Sequence, residues 1–339
     1  MYIEPGSIRK ILVINLAYIG DVILSTPLTK ALKKAYPSAE ISMLVIPSTV
    51  EVARGNPYVD HVIAYDKRGS HRSIKNVWSL IKRLRQQNYD MALTTNFSLR
   101  SPAMAWASGA PWRVGFDAQH GGVFLTHKAG AERKVIRHEI ENQLSVLEPL
   151  GIVVKDKTME FKIDPCDVLT MKKKLHFQRE KPILVLCPFG RHPAKSWTKE
   201  GYASILKELS IHAECYLIGG KAEEQNLMEL NAAAGGVAHI LAGTLTLGEL
   251  AALLHEAKLL ITVDTGPMHL GQAVGTPTVA LFGPTDERVW GPRGAKDVVI
   301  KGKVDCMPCR LTKNCENNAC MEGITIRGVL RASLNTLGK

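Results

Sequence analysis

The chain has 339 residues, of which 45% are hydrophobic, so it can bury a large core and is expected to form two domains rather than a disordered or fibrous protein. Its net charge of +11 suits nucleic acid, an anionic membrane surface or a phosphorylated substrate, without choosing among them. The N-terminus lacks the charged and apolar regions of a signal peptide, and no apolar run is long enough to span a membrane. We therefore expect a cytoplasmic, soluble protein that is at most docked on a membrane.

The first predicted strand, Ile11–Ile14, is rich in β-branched residues, as in strands buried on both faces of a parallel sheet. Residues 15–20 form the following turn. Apolar residues then recur at helical spacing from Val22 onward, which predicts an amphipathic helix that begins near Asp21. A carboxylate therefore lies at the carboxyl end of the first strand, the edge where open α/β sheets bind ligands. The alternative is that Asp21 only caps the helix and favours its dipole.

Strand-like and helix-like runs alternate along the rest of the chain. The predicted strands are residues 41–46, 61–65, 90–95, 183–187, 214–220, 259–264 and 277–283. The predicted helices include a basic one over 74–87, one over 200–209 and one that runs through Leu230. Such alternation predicts a parallel sheet covered by helices in each half, with the binding site between the two domains. The polar segment 163–182 is typical of a linker followed by an edge helix.

Two loops of the second half have the composition of a phosphate site. Lys195, together with Arg191 and His192, follows the strand 183–187, where cations can hold phosphate oxygens; the alternative is a solvated loop. Asp264, Thr265, Gly266 and Pro267 lead from a buried strand into a helix. The free N–H groups and the dipole of that helix favour a diphosphate. The alternative here is a simple cap, with His269 packed inside the helix.

A third loop places Glu223 and Glu224 after a glycine turn, where a carboxylate could accept hydrogen bonds from a ribose diol. Glutamates are also ordinary in the first turn of a helix.

Four of the seven cysteines lie close together near the C-terminus. These residues, Cys306, Cys309, Cys315 and Cys320, could enclose a tetrahedral structural zinc, although their short spacings match no standard finger or ribbon. The alternative is a set of free or redox-active thiols. No His or carboxylate is spaced to complete a catalytic metal site.

Several common motifs are absent from the sequence: the P-loop, the G-x-G-x-x-G turn after the first strand, the G-x-S-x-G elbow and H-E-x-x-H. Their absence argues against a P-loop ATPase, a standard NAD enzyme, a serine hydrolase and a zinc protease. A zinc-containing nucleic-acid-associated protein remains an alternative from a different class. Only charge and cysteines favour it, since no aromatic stacking series accompanies them.

Several segments, in order across nearly the whole chain, together resemble the family 9 glycosyltransferases, the ADP-heptose:lipopolysaccharide heptosyltransferases, and the heptosyltransferase II type in particular. The segments are ILVINLAYIGDVILSTPL, ALKKAYPSAEISMLV, GAPWRVGF, RHEIENQLSVLEPLGI, CPFGRHPAKSWTKEGYASIL, the run from LAGTLTLGELAALL to ALFGPTD, and the cysteine-bearing tail. The resemblance implies the α/β fold called GT-B, in which two Rossmann-like domains turn their parallel sheets toward a central cleft. It implies an acceptor domain over 1–164, a linker over 165–182, a nucleotide-sugar domain over 183–322, and a helix over 323–339 that packs back toward the N-domain.

The resemblance also implies site residues and an inverting reaction. Asp21 matches the proposed catalytic base, and Lys195 with Thr265, Gly266 and Pro267 matches the groups that contact the donor diphosphate. Asp264 and His269 would position the donor sugar or its loop. Glu223 would contact the ribose, and Gly243, Thr244 and Leu245 would lie beside the adenine.

The implied donor is ADP-heptose, and the implied acceptor is the inner core of lipopolysaccharide, a keto-deoxy-octulosonate and heptose oligosaccharide on lipid A. Arg100, Arg113 and His120 are candidates for contacting this acidic acceptor. The basic helix, with Lys82, Arg83 and Arg85, could hold the protein at the cytoplasmic leaflet of the inner membrane; the alternative is a solvated basic face. No cofactor is needed for this chemistry and no nucleic-acid partner is expected. Another nucleotide sugar remains an alternative donor, since the motifs match the nucleotide better than the sugar.

Overall fold

A computed structural model describes residues 7–130, 136–175, 181–309, 315 and 318–339. The chain divides into two compact units, Met1–Lys162 and Ile163–Lys339. Each unit contains one six-stranded sheet in which all the strand pairs are parallel. None of the helices in these ranges combines the length and the hydropathy that a membrane span requires.

The first unit alternates strands and helices. Its strands are β1 (Lys10–Asn15), β2 (Glu40–Val45), β3 (His61–Ala64), β4 (Met91–Thr94), β5 (Trp112–Phe116) and β6 (His127–Ala129). Its helices are α1 (Ile19–Leu24), α2 (Thr26–Ala35), α3 (Val50–Arg54), α4 (Ile74–Gln86), α5 (Arg100–Ala107) and α6 (Glu139–Leu144). The strand order β3-β2-β1-β4-β5-β6 is that of a Rossmann sheet, whose switch point lies between β1 and β4.

The helix predicted after β1 is in fact two helices. The first begins at Ile19, so that Asp21 is its third residue, and the second begins at Thr26. Pro27 stands at the start of the second helix, where its missing N–H costs nothing. The break between the helices is thus explained by one proline that the apolar periodicity does not reveal.

The second unit repeats the same plan. Its strands are β7 (Ile183–Cys187), β8 (Glu214–Gly219), β9 (Ala238–Ala242), β10 (Leu259–Val263), β11 (Thr278–Phe282) and β12 (Val298–Lys301). Its helices are α7 (Pro165–Leu175), α8 (Lys199–Leu209), α9 (Glu224–Ala233), α10 (Leu247–Glu256), α11 (Gly266–Ala273), α12 (Glu287–Trp290), α13 (Ala319–Glu322) and α14 (Ile326–Leu337). The order β12-β11-β10-β7-β8-β9 places the switch point between β7 and β10.

The helices at the two ends of this unit, α7 and α14, pack against other elements of the same unit. Residues 165–175, part of the segment predicted as a linker followed by an edge helix, form α7. This helix packs along α10, where Lys174 Nζ lies 2.7 Å from Glu249 Oε2. The C-terminal helix α14 packs on α8 and on β10, β11 and β12. The buried side chains of Val329 and Leu337 therefore extend the core of the second unit.

Candidate functional site

Asp21 lies where the first sheet is expected to bind ligands, just beyond the carboxyl end of β1. Its side chain is half-buried, and its Oδ2 accepts a hydrogen bond of 3.2 Å from the Tyr18 backbone N–H at the start of α1. This bond is the helix-capping contact that the alternative interpretation predicts. The capping contact does not compete with a role as a base, since a carboxylate has about four lone-pair sites.

The backbone of Asp21 is held by two buried amides. Its carbonyl accepts hydrogen bonds from Asn15 Nδ2 at 3.2 Å and from Gln143 Nε2 at 3.1 Å. Asn15 is the last residue of β1 and Gln143 lies on α6; they are 1% and 2% exposed. Neither residue was predicted to have a role. The only signal was that both residues fall in segments shared with family 9.

We predict that Gln143→Leu lowers kcat about tenfold and changes KM for either substrate by less than twofold. The substitution removes one of the two bonds that fix Asp21, and small misplacements of a reacting group are costly. Steady-state kinetics with both substrates varied measures the effect. Asn142→Leu on the same helix is the control, because Asn142 Nδ2 bonds Glu139 Oε2 within that helix, at 3.1 Å, and not Asp21. Equal losses of kcat in the two variants would contradict a positioning role for Gln143.

The switch point of the first sheet also contains buried oxygen atoms that lack partners. Thr95 and Asn96 follow β4, which lies beside β1, and Ser101 is in the first turn of α5. Among the described residues, Thr95 Oγ1, Asn96 Oδ1 and Ser101 Oγ accept and donate no hydrogen bond. Buried polar atoms are normally paired, so these oxygens are candidates for contacting a polar ligand.

The structure brings together two of the three predicted acceptor cations. Arg100 begins α5, and His120 lies in the loop after β5. The two segments meet where the Leu99 N–H lies 3.4 Å from Gln119 Oε1. Both cations are therefore at the carboxyl edge of the sheet.

Arg113 is at the other end of β5, near its amino terminus. Its guanidinium donates to the carbonyls of Phe124 and Ala110, both at 2.7 Å. The Arg113 side chain therefore fixes the chain on either side of β5, at the opposite end of the strand from the edge that bears Asp21, and its contact with the acceptor stays a prediction.

In the second unit, Lys195 and Asp264 meet at the switch point. Lys195 follows β7 and Asp264 follows β10. Lys195 Nζ lies 2.7 Å from Asp264 Oδ2 and 3.2 Å from its carbonyl oxygen. The side chains are 18% and 7% exposed. Gly190 supports the lysine stem, because a Cβ at Gly190 would lie 3.3 Å from the Cβ of Lys195. The pair is thus a preformed, mostly buried cation and carboxylate at the ligand-binding edge.

The start of α11 lies directly after this pair. Thr265 is in the extended conformation that precedes the helix, Gly266 and Pro267 form its first turn, and all three are half-buried. The first N–H groups of a helix have no partner within it, so they can donate to an anion. His269 is in the same helix and is 3% exposed. This burial agrees with the packed histidine of the alternative interpretation.

Glu223 lies at the end of the neighbouring strand β8. Its Oε2 accepts a hydrogen bond of 2.7 Å from the Gly220 N–H, and its side chain is half-buried. Burial and, to a smaller extent, the nearby Glu223 carboxylate raise the pKa of the Cys187 thiol to about 12. Cys187 is the last residue of β7, the strand beside β8 in the sheet.

Residues 243–245 lie beside the same turn. The Gly243 N–H donates to the Gly219 carbonyl at 2.9 Å, and Gly243 has a φ of +61°, which a side chain would strain. A Cβ at Gly243 would also lie 3.0 Å from the backbone nitrogen of Lys221. Thr244 and Leu245 follow at the end of β9, where the Thr244 carbonyl accepts from Lys174 Nζ at 3.0 Å.

The described residues do not support the predicted zinc site at the four clustered cysteines. Cys306 and Cys315 are exposed, Cys309 is half-buried, and Cys320 is buried in α13 against Gly283. All four lie in the described part of the chain, which contains no group of three or more His, Cys, Asp or Glu side chains able to hold a metal ion. Burial raises the pKa of Cys320, with smaller contributions from the other three thiols. Cys320 belongs to the hydrophobic core of the second unit, a fact that cysteine spacing does not reveal.

The geometry can now be compared with known proteins. The profile of glycosyltransferase family 9 (heptosyltransferase) matches residues 77–320. The chain belongs to this family. Lipopolysaccharide heptosyltransferase 3 of Escherichia coli K12 is 31% identical over 289 residues, which cover 81% of this chain and 83% of that protein. Lipopolysaccharide heptosyltransferase 2 of the same strain is 24% identical over 307 residues, with coverages of 86% and 88%. The crystal structure of the family 9 glycosyl transferase from Veillonella parvula has a TM-score of 0.87 at 25% identity and covers 99% of both chains.

Membership of family 9 establishes the general class of the protein. It is a glycosyltransferase of the GT-B fold, with two Rossmann-like units as the resemblance implied. The alternative of a nucleic-acid-associated zinc protein is not supported, because the chain belongs to an enzyme family and the described residues contain no group of side chains able to hold a metal ion.

Proposed function

We propose that this family 9 protein transfers heptose from ADP-L-glycero-β-D-manno-heptose to a hydroxyl group of the lipopolysaccharide inner core. The contact between Lys195 and Asp264, beside the start of α11, carries the proposal. A lysine and a helix N-terminus at one switch point are what a diphosphate needs. The names of the relatives supply the sugar and the acceptor class.

The donor would lie along the carboxyl edge of the second sheet. The diphosphate binds between β10 and β7, at Lys195 and the Thr265–Pro267 turn. The ribose then reaches Glu223 after β8, and the adenine lies beside residues 243–245 after β9. Strands β10, β7, β8 and β9 are consecutive neighbours in the sheet, about 4.8 Å apart, so this order follows the length of an extended nucleotide.

In the reaction, Asp21 accepts the proton of the acceptor hydroxyl as that oxygen attacks the anomeric carbon. The bond between this carbon and the diphosphate oxygen breaks on the opposite face, so the configuration inverts and ADP leaves. Lys195 and the N–H groups of α11 stabilise the negative charge that grows on the diphosphate. Asp264 keeps Lys195 aimed at this charge. No metal ion takes part in the scheme.

The first unit would bind the acceptor. Arg100 and His120 supply positive charge for acidic sugars or phosphates, and the unpaired oxygens of Thr95, Asn96 and Ser101 can contact sugar hydroxyls. In functional terms we propose an acceptor domain over 1–164, a nucleotide-sugar domain over 183–322 and a C-terminal helix over 323–339. We further propose that the protein works in the cytoplasm, at the inner leaflet where lipid-linked acceptors are found.

Nucleotide binding tests the donor half of the proposal. ADP at about 100 times its Kd should stabilise the protein by about 2.7 kcal/mol and raise its melting temperature by several degrees, whereas UDP and GDP at equal concentrations should not. A larger shift with another nucleotide would contradict the proposed donor. Transfer to core acceptors that end at different sugars would then identify the heptose position.

The ribose contact has a matched pair of variants. Glu223→Gln should weaken ADP binding about tenfold, because hydrogen bonds to a charged group are worth about 1.5–3 kcal/mol. Glu224→Gln should leave ADP binding within twofold, since its carboxylate pairs with Lys221 at 2.6 Å. Isothermal titration with ADP measures both. Equal affinities in the two variants would remove Glu223 from the ribose site.

A further inference from the structure

The segment formed by helix α4 and the two residues before it carries positive charges and no negative ones. Residues 72–86 contain five lysines and arginines and no aspartate or glutamate. The Arg85 side chain is bound within the first unit, since its Nε donates to the Ala107 carbonyl at 2.9 Å. The other four cations make no ion pair with any residue of the described ranges; they are Arg72, Lys75, Lys82 and Arg83. This charge is therefore available to an anionic partner.

The same helix exposes two large apolar side chains. Ile74 is 78% exposed and Trp78 is 61% exposed, whereas Leu80 and Leu84 on the other side are 1% exposed. Residues three and four apart share a helix face, so Lys75, Trp78 and Lys82 lie on the face opposite the buried leucines. An exposed tryptophan between two lysines does not stabilise the isolated fold, which suggests a partner with both an apolar and an anionic component.

We infer that this face of α4, defined by Ile74, Lys75, Trp78 and Lys82, docks on the surface of an anionic lipid bilayer. Tryptophan prefers the boundary between headgroups and acyl chains, and cations beside it attract anionic headgroups. A second copy of this chain is a poor occupant, because each copy carries a net charge of +11. The inference rests on the proposed function in one respect: an enzyme whose acceptor is linked to a lipid must work at a membrane.

The chain offers a matched control surface on α7. Leu169 is 61% exposed, as Trp78 is, and Lys173 is an exposed lysine one turn further on. The test variant is Trp78→Ser with Lys82→Glu, and the control is Leu169→Ser with Lys173→Glu. The two variants have the same spacing and the same change in charge. Melting temperatures of both should stay close to that of the unchanged protein, because all four side chains are exposed.

The experiment is flotation of the full-length protein with vesicles of phosphatidylethanolamine and phosphatidylglycerol, and with vesicles of phosphatidylcholine alone. We expect binding to the anionic vesicles only, an at least tenfold loss in the α4 variant, and less than a twofold change in the α7 variant. Absence of flotation, equal binding to both kinds of vesicle, or equal losses in the two variants would overturn the inference. Release of the protein from the anionic vesicles by added duplex DNA would also overturn it. Transfer of heptose to a delipidated core acceptor tests the proposed function separately, since this reaction requires no bilayer.

Discussion

Asp21→Asn is expected to lower kcat by about 10² to 10⁴ while ADP binding persists, because general-base catalysis contributes a factor of this size. The asparagine oxygen can still accept the Tyr18 N–H, so the start of α1 is preserved. The melting temperature should therefore change little. Steady-state transfer rates, isothermal titration with ADP and thermal unfolding together separate the base from the cap.

Asp21→Ala is the companion variant. It removes the base and the capping contact together, so it should lose as much activity as Asp21→Asn and also about 0.5–2 kcal/mol of stability. If Asp21→Asn keeps its activity and Asp21→Ala loses only stability, then Asp21 is a helix cap and the proton acceptor lies elsewhere.

Lys195→Met has the second large expected effect, on both activity and stability. The substitution removes the cation at the diphosphate, so kcat/KM should fall by about 10² to 10³ and ADP should bind more weakly. It also leaves the buried Asp264 carboxylate without its partner. Breaking a buried ion pair costs about 3–5 kcal/mol, and the partial exposure of Lys195 places this case near the lower limit.

A double variant separates these two effects. Lys195→Met combined with Asp264→Asn removes the uncompensated charge, so it should regain most of the lost stability and none of the lost turnover. Thermal unfolding and initial rates measured on the same preparations make the comparison. Recovery of turnover in the double variant would show that Lys195 serves only to neutralise Asp264.

The sequence predicts the strands that are buried on both faces. β1, β7, β10 and β11 are continuous apolar runs, because helices cover them on both sides. Strands β5 and β9 and the edge strands β6 and β12 went unpredicted. They are short and only partly buried, so their residues need not be apolar.

In the candidate site, the features that depend on local sequence could be predicted, and the contacts that depend on tertiary structure could not. Lys195 and Asp264 could each be predicted from a loop that follows a buried strand, since strand, turn and helix are local patterns. Their 2.7 Å contact joins residues 69 positions apart, and the bond from Gln143 to Asp21 spans 122 positions. These contacts depend on strand order and helix packing, which one sequence does not display. The cysteine spacing is misleading for the same reason, because it does not reveal that Cys320 packs inward.

The most direct test of the account is transfer itself. The protein would be incubated with a truncated lipopolysaccharide core and with ADP-heptose, UDP-glucose or GDP-mannose in turn, and the acceptor mass would be measured. We predict that the acceptor gains the mass of one heptose residue with ADP-heptose alone. Sugar addition from one of the other donors, with no product from ADP-heptose on any core acceptor, would contradict the account.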